Sequence, residues 1–191
     1  MADSEDHSAW EGLLLPLENR GVYRERGVEL FIHDGGSGLI AALNLIYPHI
    51  PHQRCLFHKL RNLWQAIQIP DGMKRHEAQQ LKRNIIQQAA VIFRAQTAPA
   101  ALQLPDAFCQ QWQLTQPKLV ASLLRDWDDT VAFYKLLARF PDWKITALRT
   151  TSLLERLNRM LRRLFRPAGA YHSTAGLLAT VVRVLIPLRA I

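Results

Sequence analysis

The sequence predicts an α/β fold interrupted by an all-helical insertion, and three observations predict it. Between residues 28 and 67, short apolar runs alternate with stretches of helical periodicity, as in parallel strand–helix units. Between Pro70 and Phe140 the apolar spacing is helical throughout, with no strand pattern. Beyond that point the charge changes: residues 139–191 hold 10 Lys and Arg against 2 Asp and Glu, whereas residues 1–138 hold 14 of each. The expected division is a core from 1–70 and 143–191, with the insertion at 71–142.

The elements follow in order. Trp10, Leu13, Leu14 and Leu17 give Ser8–Gly21 helical spacing, with Gly21 as C-cap and Pro16 as a kink or a sign of a later start. Val28–Ile32 is too short for a helix and reads as a buried strand ending at Asp34. Gly35-Gly36 turns the chain, Ser37 offers a helix cap, and Leu39, Ile40, Leu43, Ile46 and Tyr47 form one face before Pro48. Arg54–Phe57 reads as a second strand, leading into a helix with Leu60, Leu63, Trp64 and Ile67.

Pro70-Asp71-Gly72 is a turn. A long helix is expected over 74–96, a loop around Pro99 and Pro105, and a short helix with Phe108, Cys109 and Trp112. Pro117 suits the first turn of a single helix to Phe140. Thr150-Thr151-Ser152 offers caps to a helix over Leu153–Phe165, ended by Pro167 and Gly169. A last apolar helix, Thr174–Ile186, is expected to cover the sheet.

Composition limits the function. A chain of 191 residues, 49% apolar, can bury a core and is expected to be globular. Two cysteines more than fifty positions apart build no disulfide framework, which suits a reducing cytoplasm. The acidic start resembles no signal peptide. The longest apolar stretch, Ala175–Ile186, is short and broken by Arg183, so no membrane role is expected. The net charge of +8 sits almost wholly in the last quarter, where nine of ten basic residues are arginines. Their planar forks suit phosphate, and the alternatives are a nucleic-acid surface or a solvated face.

Within the last long helix, Leu157, Met160, Leu161 and Leu164 share one side. Arg156, Arg159, Arg162, Arg163 and Arg166 fall within about 120° on the other, with Glu155 inside that arc. Ser152-x-x-Glu155 is also a capping box, and Glu155 precedes Arg159 by four residues, so spacing alone favours a structural role. Asp34 before Gly-Gly has an ordinary turn reading, although strand ends of this kind hold ligands in α/β sheets. Cys55 and His58 have the spacing of half a zinc site, without a second pair; otherwise Cys55 is a buried strand residue and His58 begins a helix.

Two segments carry a resemblance. Asp34-Gly, Gly38-Leu39, Pro48 and Gln53-Arg54-Cys55-x-x-His58-Lys59-x-Arg61-Asn62 resemble the middle of Mutator-type bacterial transposases. Thr150-Thr151-Ser152-x-x-Glu155-Arg156-Leu157-Asn158-Arg159 resembles their later Thr-Thr-Asn-x-x-Glu-Arg-x-Asn-Arg segment, with Ser152 in place of Asn. The resemblance implies a partial ribonuclease H-like core with an Asp-Asp-Glu triad, and makes Asp34 and Glu155 its second and third acids. They would ligate Mg²⁺ or Mn²⁺ for DNA cleavage and strand transfer, since two such ions can activate the attacking oxygen and stabilise the leaving one.

The arginines at 156, 159, 162, 163 and 166, with Lys59 and Arg61, would contact DNA. Cys55, His58 and Asn158 would be motif residues. The implied partners are transposon-end and target DNA, with a homo-oligomer or an intact transposase as protein partner, in the nucleoid-associated cytoplasm. The triad's first aspartate finds no match, because Asp3 and Asp6 sit in no strand pattern. The resemblance therefore implies a truncated protein, inactive alone. The alternatives are a non-catalytic remnant that binds DNA or a transposase and inhibits transposition, and a fragment without a role.

Overall fold

The computed structural model describes residues 6–23, 25, 27–95, 98–168 and 173–185. Two compact units divide the chain at residues 150 and 151. Most of the described residues are helical, and the first unit holds a sheet of two parallel strands.

The first unit opens with α1 (His7–Asn19), capped by the Asp6 carboxylate, which accepts the Ala9 N–H at 2.9 Å. Pro16 lies inside the helix and the helix continues past it. The helix ends in a Schellman turn. Gly21, at φ +94°, donates to Glu18 O and Val22 donates to Leu17 O. Leu14 of α1 is buried with Ala42, Leu43 and Tyr47 of the next helical segment, α2 (Ser37–Ile46) and its C-cap.

Both strands are shorter than the apolar runs suggest. β1 is Phe31–His33 and β2 is His52–Arg54, paired Phe31↔His52, Ile32↔Gln53 and His33↔Arg54. The expected second strand, Arg54–Phe57, is corrected by this register. Cys55 is the N-cap of α3 (Leu56–Ala66), and Phe57 lies exposed on that helix. Ser37 is likewise not a cap but the first helical residue, with Gly36 at the cap position.

The helical segment contains α4 (Arg75–Ile92) and α5 (Ala98–Trp112), which runs through Pro105 where a loop was expected. The single helix expected to reach Phe140 is three: α6 (Pro117–Leu124), α7 (Trp127–Thr130) and α8 (Ala132–Arg139). The break is at Asp126, whose φ of +52° is left-handed. Leu56, Leu63 and Ile67 from around α3 share one core with Ile85, Leu119, Leu123 and Phe133. The helical segment is thus welded to the strand–helix segment. α9 (Ile145–Leu148) joins the same core through Leu148, and the Leu56 N–H donates to Arg149 O at 2.8 Å.

The second unit contains α10 (Ser152–Ala168) and α11 (Thr174–Leu185), which contact each other. α10 continues through Pro167 rather than ending there, whereas Gly169 and Ile186 lie outside the described residues. Among the described residues no helix is long and apolar enough to cross a membrane.

Candidate catalytic and DNA-contacting residues

β1 ends at His33 and delivers Asp34 to the carboxyl end of the sheet, where its side chain is exposed. One oxygen, Oδ1, accepts the Gly36 N–H at 3.1 Å, closing a turn that shapes the entry to α2. Gly35 sits between them at φ +103°, a conformation that side chains with a Cβ rarely adopt. The space is also taken. A Cβ there would stand 2.6 Å from Cζ of the Arg54 guanidinium.

Arg54 is therefore laid against the Asp34 turn, and it cannot drift away. Its Nη1 is ion-paired with Asp126, the left-handed residue between α6 and α7. The neighbouring Gln53, fully buried, fastens the same elements together. Its Nε2 donates to Arg54 O and to Thr130 O, while its Oε1 accepts the Phe133 N–H at 2.9 Å. Two consecutive residues of β2 thus tie the Asp34 turn to a segment more than seventy positions later.

Two histidines, one from each strand, pack together. His33 and His52 meet edge to face at 5.7 Å between ring centroids. Burial, aided by the charges of His52 and Arg54 and opposed by Asp34 and Asp126, pulls His33 down to about 4. It is neutral at pH 7, and neither ring nitrogen has a hydrogen-bond partner among the described residues. Burial lowers His52 too, against the opposing charge of Asp129, whose own carboxyl is raised by burial.

The remaining motif residues separate by exposure. Cys55 is fully buried, and its N–H donates to His33 O at 2.7 Å, extending the strand pairing by one residue. His58 is half-buried against Phe57, with Nδ1 unpartnered among the described residues. Arg61 is exposed on α3. Lys59 is only 2% exposed, and its ammonium donates to Arg125 O, inside the fold. Asp6, with no strand around it, caps α1; Asp3 lies outside the described residues. Among the described residues, no three His, Cys, Asp or Glu side chains gather into a metal site.

In the second unit Glu155 occupies the first turn of α10, exposed. Its N–H donates to Thr151 O, and its Oε1 accepts the Thr151 hydroxyl at 3.2 Å. Ser152 is already helical, so the helix starts one residue earlier than a Ser152 cap requires. Glu155, Asn158, Arg159, Arg162 and Arg163 together line a cleft of about 410 Å³. Arg156 is exposed on the same helix; the side chain of Arg166 lies outside the described residues. The first turn of a helix favours the negative charge of Glu155, and the exposed arginines beside it suit phosphate.

Sequence reasoning missed Arg54, Gln53 and Asp126. Arg54 and Gln53 stood inside a recognised motif, but their partners lie at separations of 72 to 80 residues. The only local signal was the Arg125-Asp126 pair within an otherwise helical stretch.

Comparisons with known proteins bear on both segments. The family described as "Transposase, Mutator family" matches residues 1–189. The chain is 33% identical over 189 residues to the transposase for insertion sequence element IS406 of Burkholderia multivorans (strain ATCC 17616 / 249), covering 98% of this chain and 44% of the relative. It is 34% identical over 151 residues to that for IST2 of Acidithiobacillus ferrooxidans, covering 79% and 46%. It is 29% identical over 163 residues to that for IS905 of Lactococcus lactis subsp. lactis (strain IL1403), covering 85% and 37%. The chain therefore spans less than half the length of each of these relatives. A match that runs through the Asp34 turn and the Glu155 helix alike leads to one conclusion: the chain belongs to the Mutator family of transposases.

Proposed function

We propose that this chain supplies two of the three acids of a metal-dependent centre for DNA cleavage and strand transfer. Asp34 and Glu155 act as ligands for Mg²⁺ or Mn²⁺, which would activate the attacking water or 3′-hydroxyl and stabilise the leaving oxygen. Arg156, Arg159, Arg162, Arg163 and Arg166 hold phosphates beside it, with Arg61 as a further contact. Lys59, bonded to Arg125 O, is a further candidate contact. The surrounding architecture is read as part of a ribonuclease H-like core. An acid directly after β1, in a parallel strand–helix arrangement, supports that reading.

The observation that carries the reading is the cleft on α10, where Glu155 is the one acid among Arg159, Arg162 and Arg163. On this reading no residue of the chain is matched to the triad's first aspartate. Alone, the chain is expected to bind transposon-end DNA with little or no cleavage, acting with a second copy or an intact transposase. The same arginine face also favours a second reading, a remnant that occupies DNA ends and inhibits transposition.

The test is nicking and binding of a transposon-end duplex with Mg²⁺ or Mn²⁺, by this chain alone and in the presence of an intact relative. Any cleavage by the chain vanishes in Asp34→Asn and in Glu155→Gln, while DNA binding persists. Cleavage that survives either change sinks the two-acid reading. DNA binding indifferent to Arg159→Ala with Arg162→Ala sinks the arginine one. Inhibition of the intact relative by a chain that never cleaves selects the remnant.

A further inference from the structure

A second cleft, of about 470 Å³, lies within the first unit and is lined by residues of α3 and α6. Its charged groups are four cations, Arg54, Lys59, Lys118 and Arg125, and one carboxylate, Asp126; Asn62 and Ser122 add neutral polar groups. Lys59 and Arg54 are buried and form its floor, while Lys118 and Arg125 are exposed at its rim. Among the residues lining the cleft the excess is three positive charges. Asp126 is already committed to Arg54.

The donors are also undersupplied. The Lys59 ammonium carries three N–H groups, and Arg125 O is the acceptor it has among the described residues. The buried Arg54 Nε has no partner there at all. Charged donors short of acceptors are costly, and an anion with several oxygens supplies those that the Lys59 ammonium lacks. Phosphate spreads its oxygens in several directions, which suits donors arriving from a floor and a rim. The cleft volume exceeds what a lone phosphate fills, leaving room for the attached sugar.

We propose that this cleft binds a phosphate group, and that the phosphate belongs to the backbone of a DNA strand. The second half of that statement rests on the function proposed above; the first half does not. The site shares no residue with the arginine face of α10, so it gives the protein an additional hold on nucleic acid.

The experiment uses the full chain. Side-chain NMR follows Lys59 Nζ and Arg54 Nε during titration with sodium phosphate at constant ionic strength, and fluorescence anisotropy follows a labelled single-stranded hexanucleotide. The variant Lys118→Ala with Arg125→Ala removes the rim and keeps the Arg125 carbonyl that holds Lys59. Phosphate should shift both signals, and the variant should bind the hexanucleotide about tenfold more weakly, the loss of one or two charge-assisted hydrogen bonds. Unchanged signals overturn the site. Shifted signals with undiminished hexanucleotide binding overturn the assignment to DNA and leave a site for free phosphate. The titration is independent of Asp34 and Glu155, so failure of the catalytic reading registers separately, in the nicking assay.

Discussion

The two acids are held in opposite ways. Asp34 stands on a turn braced from beneath by Arg54, Gln53 and Asp126, residues brought from two distant segments. Glu155 stands on the first turn of its own helix, with a neighbouring threonine as its hydrogen-bond donor. The first position is a product of tertiary packing, the second of local helix geometry. Substitutions around Asp34 therefore act on the fold, whereas substitutions at Glu155 should leave it largely unchanged.

This contrast can be broken most forcefully at Gln53. Gln53→Ala leaves buried partners at Thr130 O and the Phe133 N–H without their bonds, and should cost about 3 kcal/mol. Urea denaturation measures it, and a loss below about 1 kcal/mol would mean the brace is dispensable. Next comes Gly35→Ala. The positive φ alone disfavours a Cβ, and Arg54 can retreat only by straining its pair with Asp126. About 2 kcal/mol is expected, with the melting temperature lowered to match.

The Lys59 charge sharpens the comparison by pH. Burial, with Arg54 and Arg125 adding and Asp126 opposing, lowers it from 10.5 to about 8. A depressed pKa means the folded chain holds fewer protons than the unfolded one between those values. This group's contribution to stability therefore rises from pH 8 to 10.5 and is lost as pH falls through 8. Phosphate affinity runs the other way, weakening as pH rises through about 8, because neutral Lys59 no longer attracts an anion. Isothermal titration at several pH values follows the second trend. The smallest effect belongs to Glu155→Gln, which should change stability by less than about 0.5 kcal/mol, because the side chain is exposed and packs against no core.

How far the sequence revealed this arrangement depends on what held each element. α2, α3 and α4 were legible because each buries one apolar stripe. β2 was placed late because its three residues, His52, Gln53 and Arg54, are polar and yet buried. Hydrophobicity cannot announce a strand whose side chains are satisfied by partners 70 to 80 residues away. The single helix expected to reach Phe140 failed at Asp126, where neither glycine nor proline marked the break. Asp34 and Glu155 were legible only through family resemblance. Spacing alone left each with a sufficient structural explanation, a turn and a cap.

Asp126 answers two demands at once. Its backbone accepts a left-handed bend, which short polar side chains tolerate best, and its carboxylate answers the guanidinium of Arg54. Asparagine would keep the bend and lose the charge, glutamate would keep the charge and resist the bend, and glycine would supply only the bend. Few replacements satisfy both, so in related chains this position and position 54 are expected to change hands as a couple, each constraining what evolution can write at the other.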